Sequence, residues 1–378
     1  MQDIPGLDRL ELEGAARRVD NSLAGDATTY TYAVRWAPIE DVLLRANKTK
    51  SIRAPSITEL FLPTATSFQF ANDPCDKNYV AQGTNPAQRA ANCAAAGIDT
   101  QTFVSNVVNA TAQGTTSGNQ NLVSEVAFSK TFGVVLRPRW VPKLNISVDY
   151  IDIALKDAIS SLTLVNNLDA CYDSTDYPNS PACSTFTRDP TTHQITNFHA
   201  GFVNAGLLEF TGIQAALDYT WDLPWALGSL ETSAHFLDTQ RLKTQIATAS
   251  PIELAGSLGG NNPGPTKSKG SIDLLYANGG FSWDWQGIFI GSMNLDNAVV
   301  AGTQNYMTVD HWWLINSTLG MKFTPQLQAR FIIDNVFNKQ PPFPALEGTG
   351  GNFVNATSLY FSGIIGRSLQ LSVDYKFY

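Results

Sequence analysis

No apolar run in this sequence approaches the roughly 20 residues that a helix needs to cross a bilayer. The strongly apolar stretches, such as 287–291, are far shorter, and helical membrane spans are excluded. Charge is also scarce: 15% of the residues are Asp, Glu, Lys or Arg, where an average soluble domain carries about 25%. The mean hydropathy is nevertheless only −0.10, so low charge comes without high hydrophobicity. The net charge is −8 and no run of Lys or Arg could track a phosphate backbone, so nucleic acid is not an expected partner. Histidine is limited to His193, His199, His235 and His311, none with a second ligand at metal-binding spacing. The Gly-rich stretch 256–264 lacks the G-K-[ST] ending of a phosphate loop and reads as a loop. Paired carboxylates, Glu11 with Glu13 and Asp149 with Asp152, fall on strand segments, where they are expected to line a solvated surface. No catalytic constellation, metal or cofactor is expected.

Four cysteines stand in two close pairs, Cys75 with Cys93 and Cys171 with Cys183, each in a stretch rich in Asn, Asp, Pro and Ser. Neither pair has the double C-x-x-C spacing of a zinc site. Such loops suit an oxidising compartment, where a disulfide closing one contributes roughly 3 kcal/mol. Of the connectivities that four cysteines allow, only local pairing avoids joining distant loops. Four free thiols are the alternative. The N-terminus, Met1-Gln-Asp-Ile-Pro, has neither the basic nor the apolar region of a signal peptide.

Period-2 alternation runs from one end of the chain to the other, which predicts strands with one apolar face. At the C-terminus Leu369, Leu371, Val373, Tyr375 and Phe377 alternate with Gln370, Ser372, Asp374 and Lys376. The pattern recurs at Tyr30, Tyr32, Val34 and Trp36, at Phe128, Phe132 and Val134, at Leu144, Ile146, Val148 and Tyr150, and at Phe281, Trp283 and Trp285. These stretches approach the ~9 to 11 residues of a tilted transmembrane strand. After Tyr150 the apolar phase slips to Ile151, Ile153 and Leu155, as at a bulge or where a strand leaves the membrane.

Connections alternate between short and long. Short links lie near 38–41, 137–143, 222–228, 278–280 and 324–326, and long ones near 55–124, 157–194, 241–266, 292–307 and 338–358. A soluble sandwich gives no reason for this alternation, whereas outer-membrane barrels join short periplasmic turns to long extracellular loops. The reading is an all-β chain forming an antiparallel transmembrane β-barrel, with about twelve strands and long extracellular loops. They begin near Leu7, Thr28, Val42, Glu125, Leu144, Ile195, Ser229, Lys267, Phe281, Met307, Leu327 and Tyr360. Trp36, Trp140, Trp221, Trp225, Trp312 and Trp313 are expected in aromatic girdles at the two interfaces.

The segment Arg53-Ala-Pro-Ser-Ile-Thr-Glu-Leu-Phe61 resembles the R-A-P-x-x-x-E-L-F segment of TonB-dependent receptors. Further similarities follow in the family's order: Asp73-Pro-Cys-Asp76, Asn92-Cys-Ala-Ala-Ala-Gly97, Phe132 to Pro138, Ser147-Val-Asp-Tyr150, Thr187 to Thr192, Phe202-Val-Asn-Ala-Gly206 with Thr211-Gly-Ile213, and Asp334-Asn-Val-Phe-Asn-Lys-Gln-Pro-Pro342. Asn119-Gln-Asn-Leu-Val-Ser-Glu125 departs slightly from the family's N-P-N-L-x-P-E, and Tyr378 follows the usual terminal Phe.

The resemblance implies that residues 1–378 are the C-terminal portion of a receptor barrel of about 22 strands around a plugged lumen, without signal peptide, TonB box or plug domain. It implies a location in the outer membrane of a Gram-negative bacterium, and uptake of a scarce small-molecule nutrient with no bond made or broken. The implied partners are membrane lipid, TonB, the plug domain and the barrel-insertion machinery, the last reading a terminal signal of Leu371, Val373, Tyr375 and Phe377. Arg53, Pro55 and Glu59 carry the family motif, and Arg53 and Glu59 are expected to position the loop or touch the plug. Candidate substrate contacts in the long loops are Phe68, Phe70, Tyr172, Asn305, Tyr306, Phe343 and Phe353. The alternative is a passive pore of about twelve strands, which requires the strands near Leu7 and Tyr360 to pair.

Overall fold

The computed structural model describes residues 2–4, 6–83, 85–246, 251–257, 264–294, 308–342 and 365–377. Twelve strands carry the architecture: β1 (Leu7–Val19), β2 (Ala27–Ile39), β3 (Val42–Arg53), β4 (Glu125–Leu136), β5 (Asn145–Leu162), β6 (Ile195–Asp222), β7 (Ser229–Ile246), β8 (Ser268–Asn278), β9 (Phe281–Ile290), β10 (Trp312–Lys322), β11 (Leu327–Asp334) and β12 (Ser368–Tyr375). Each pairs antiparallel with the next in an unbroken meander. Ten of the expected starts fall within one residue of these. The other two, near Met307 and Tyr360, lie outside the described residues. Among the described residues the sheet does not close on itself.

The registers align the alternating patterns into two faces. One carries large exposed apolar side chains, among them Leu12 at 76% and Leu371 at 68% exposure, with Tyr32, Phe132, Ile272, Trp283 and Phe331 between them. Soluble proteins rarely expose apolar patches beyond a few hundred Å², so this face requires hydrocarbon against it. The other face is polar and knitted across strands: Arg35 pairs with Glu11 at 3.4 Å, and Arg330 with Asp374 at 3.3 Å. Gln286 donates to Asp273 at 2.9 Å and Asn316 to Gln286 at 3.2 Å. Gly133 stands between Arg45 and Asp149 in one cross-strand row. A Cβ there would meet Asp149 Oδ1 at 1.9 Å; its absence lets Arg45 reach the carboxylate at 2.7 and 2.5 Å.

β5, β6 and β7 are 18, 28 and 18 residues long, well beyond the ~9 to 11 that span a bilayer. Their far ends rise with the long loops. The phase slip after Tyr150 is explained by this: Val126↔Lys156 to Leu136↔Ile146 is an uninterrupted register, so no bulge separates β4 from β5 there. The strand keeps its phase while its outward positions turn to Asp152, Ala154 and Lys156. Register shifts occur instead at Asn204/Gly206, Gly206/Leu208 and Thr211/Gly212. Trp36, Trp140, Trp221, Trp225 and Trp313 are exposed. Trp312 corrects the girdle expectation, because it faces the opposite side of β10 and is buried with Met293, Val309 and Leu314.

Val373, on the apolar face opposite Ala329, tests the face assignment. Val373→Arg is expected to cost about 2–4 kcal/mol near the bilayer midplane. Gln370→Arg, on the polar face opposite Ile332, is expected to be far milder, as measured by folding into lipid vesicles.

Candidate functional site

The larger buried cluster lies in a body built from the two longest loops, on the side of the sheet away from the short turns. Its base is a clasp at the end of β3. Pro55 cannot donate to a ladder, and the chain turns at Ser56 into helix α1 (Ile57–Phe61). Ser56 and Glu59 form a capping box: Glu59 N–H donates to Ser56 Oγ at 3.2 Å and Ser56 N–H to the Glu59 carboxylate at 2.6 Å. Arg53 donates to Glu59 at 3.0 and 3.1 Å and to Glu125 at 2.6 and 2.9 Å. Buried Glu125 also accepts from Ile159 N–H at 2.7 Å. Three strands and the first loop helix thus meet on one guanidinium, which holds the Glu59 carboxyl below the usual carboxylate range.

Above the clasp, the strand Ala65–Gln69 pairs with Ala112–Ser117, which adds in parallel to β6. Helices α2 (Pro86–Ala95) and α3 (Leu164–Tyr172) pack against them over Leu164, Leu168, Ile98, Val107 and Phe198. Disulfides join Cys75 to Cys93 and Cys171 to Cys183, across 18 and 12 residues, as the local pairing predicts. Two arginines bind the loops together. Arg188 grips the fully buried Asp73 at 2.7 and 2.8 Å, donates to the Tyr172 hydroxyl at 2.9 Å and lies 5.2 Å over its ring. Asp73 also accepts from Ser105 Oγ at 2.7 Å and Cys75 N–H at 3.0 Å. Arg89 on α2 binds Asp173 at 2.5 and 2.6 Å and Asp169 at 2.7 Å. One guanidinium serves two carboxylates here, so burial, together with the charges of Asp173 and Asp73, pushes Asp169 up to about 6.

The candidate contacts separate. Phe68 and Phe70 are each 62% exposed, while Gln69 between them turns inward and accepts from Leu164 N–H at 2.7 Å. Tyr172 is in the buried cluster with its hydroxyl taken by Arg188, the position of a packing residue. Asn305, Tyr306, Phe343 and Phe353 lie outside the described residues, as does most of the Gly-rich stretch 256–264. Leu371, Val373 and Tyr375 sit on the apolar face, and Phe377 packs edge-on against Tyr375. His199 Nδ1 is 3.1 Å from Thr115 Oγ1; no group of three potential metal ligands occurs among the described residues. Ser233 and His235 share the polar face at 3.3 Å, but the Ser233 hydroxyl donates to Asp218. The helices were not expected within the long links. Their signals are short: Ser56-x-x-Glu59, Asn85-Pro86 and Thr163-x-x-Asn166, each a helix start without a long periodic run behind it.

Residues 2–336 match the family model described as TonB dependent receptor-like, beta-barrel. Among solved structures, a variant of the ferric enterobactin receptor PfeA from Pseudomonas aeruginosa, in complex with enterobactin, is similar with a TM-score of 0.60 at 14% identity. The similarity covers 99% of this chain and 44% of that one. The siderophore receptor PirA from Acinetobacter baumannii gives 0.58 at 13% identity, with 98% and 44% covered. The chain therefore spans less than half the length of these receptors. No curated protein matches it.

The raised Asp169 carboxyl makes the loop body's stability depend on pH. Its folded value, about 6, exceeds the ordinary 3.8, so the folded loop holds more protons than the open one between them. This contribution is present at low pH and lost as pH rises through about 6. The α2–α3 amides are expected to show larger protection factors, corrected for the intrinsic pH dependence of exchange, at pH 5 than at pH 7, and Asp169→Asn is expected to remove that difference. Asp73→Ala, which leaves Arg188 buried and unpaired, is expected to cost about 3–5 kcal/mol, read as loop proteolysis.

Proposed function

Because the chain belongs to the TonB-dependent receptor-like β-barrel family, we propose that it forms part of a receptor that captures a scarce nutrient on its loop body and imports it with energy delivered through TonB. Barrels of this family reside in the Gram-negative outer membrane. The observation that carries the proposal is the cross-linked loop body, held on strands whose apolar face demands lipid. A binding platform gains affinity when its surface is ordered before the ligand arrives, and two disulfides with two arginine clamps supply that order. Phe68 and Phe70 are the proposed contacts within it, joined by Asn305, Tyr306, Phe343 and Phe353 from the long links near 292–307 and 338–358. Siderophores, the ligand class named for PirA, with the enterobactin bound by PfeA, are the first substrate class to test.

Among the described residues β12 carries no strand on its outer edge and β1 carries only the short strand Gln2–Ile4, which covers Leu7–Arg9. Unpaired backbone groups in hydrocarbon cost several kcal/mol each, and further strands of the same barrel would satisfy them. A plug domain filling the lumen, and insertion machinery reading the last strand, complete the proposed set of partners.

The receptor is expected to support siderophore uptake in cells with TonB and to lose it without TonB. Replacing Phe68 and Phe70 by alanine is expected to weaken binding roughly tenfold, as for truncated aromatic anchors, with loop proteolysis unchanged. Uptake independent of TonB, accompanied by leakage of small solutes, would sink this reading in favour of a passive pore.

A further inference from the structure

The apolar face of β3, β4 and β5 changes character along its length. Toward the short turns it carries Leu44 and Ala46 on β3, Val134 and Phe132 on β4, and Val148 and Tyr150 on β5, paired across the strands. One same-face step further toward the loop body, about 7 Å along the strand, lysines take over. Lys48 stands directly opposite Lys130, Lys50 opposite Phe128, and Lys156 opposite Val126. Tyr32 and Tyr30 of β2 flank Lys48 and Lys50 on the other side, and Lys156 Nζ lies 6.0 Å from the Phe128 ring centre. Lys48, Lys130 and Lys156 are exposed. The belt continues on β7, where Arg241 is 3.6 Å from Glu209 and Lys243 is the register partner of that carboxylate.

This patch runs against the charge of the whole chain, which is −8. Of its four lysines, Lys130 faces a carboxylate, Asp152 at 3.9 Å. Like charges directly opposite in an antiparallel pair are destabilising, so the Lys48–Lys130 row carries a repulsion that an anion between the two ammonium groups would relieve. Of the cations near the short turns, Arg139 pairs with Asp41 and Glu40 and Lys143 with Asp222, while Lys322 and Lys376, at the ends of separate strands, form no ion pair among the described residues. Lysines seeking water alone would suit either rim of the apolar band; the clustered, under-neutralised ones occupy the rim beside the loop body.

We propose that the outward face of β3, β4 and β5 is a binding site for the phosphate-bearing headgroup of an outer-leaflet lipid. Lys48, Lys50, Lys130 and Lys156 hold the phosphate oxygens, and the acyl chains lie along Tyr32, Phe132 and Tyr150. The assignment rests on the reading that the apolar face is turned to a membrane whose outer leaflet lies toward the loop body.

The test reconstitutes the protein into vesicles of an uncharged glycolipid doped with either a phosphorylated glycolipid or its dephosphorylated counterpart. Lipid retained after detergent extraction is measured by native mass spectrometry. The phosphorylated lipid is expected to be retained selectively, with retention falling as salt rises. Each lysine removed, as in Lys48→Gln and Lys130→Gln, is expected to cut retention roughly fivefold. Lys48→Arg with Lys130→Arg keeps it, and Lys322→Gln, at the short-turn end of β10, leaves it unchanged. Equal retention of both lipids by inserted wild-type protein, or undiminished retention of the phosphorylated lipid by the glutamine variants, would overturn the proposal alone. Failure of the wild type to insert into any vesicle would overturn the membrane reading beneath it. Inorganic pyrophosphate binding to the detergent-held protein as tightly as the lipid would overturn the assignment to a lipid.

Discussion

Every backbone N–H and C=O that meets hydrocarbon must find its partner inside the protein, and a β-sheet can meet that demand only strand to strand. The meander of β1 to β12 follows from this constraint, because consecutive strands, joined by short turns or long loops, satisfy each other's edges in chain order. Period-2 geometry then forces the side chains into two surfaces, one against lipid and one against water. The polar surface must still order its own charges. It does so across strands, as in the Arg45–Asp149 pair that closes over Gly133.

A consequence is that the larger packed core lies outside the membrane layer. A single sheet with lipid on one side has nothing of its own chain to pack on, so burial concentrates where two long loops fold together over β6. That body is small, and small bodies need covalent or ionic staples. Two disulfides and the buried pairs of Arg188 with Asp73 and Arg89 with Asp173 supply them. Such pairs contribute little net stability against an apolar alternative but penalise any arrangement that separates them. The loop body is in this way held to one conformation, the property a capture surface needs.

Charge divides the molecule along its height. Near the short turns Arg139 and Lys143 are paired with carboxylates; at the level of the clasp Arg53 is shared between Glu59 and Glu125. Between the apolar band and the loop body, on the outward face, lysines outnumber carboxylates. The asymmetry follows strand direction, so that face distinguishes one leaflet from the other.

The sequence by itself determined the strands, their faces, the long and short loops and the local disulfides. Each of these depends on neighbours along the chain: alternation such as Leu369 to Phe377 is a local code, and Cys75 and Cys93 are only 18 residues apart. The tertiary structure decided the rest. Arg188 and Asp73 are separated by 115 residues, and nothing in either stretch names the other. Tyr172 reads as a candidate contact in a long loop until two loops close over it, and Trp312 reads like Trp313 until the register of β10 sends them to opposite sides. The lysines of β3, β4 and β5 are scattered over more than a hundred positions of sequence and become one patch only when those strands pair. Long-range partners are chosen by chain closure, which no local pattern of side chains encodes.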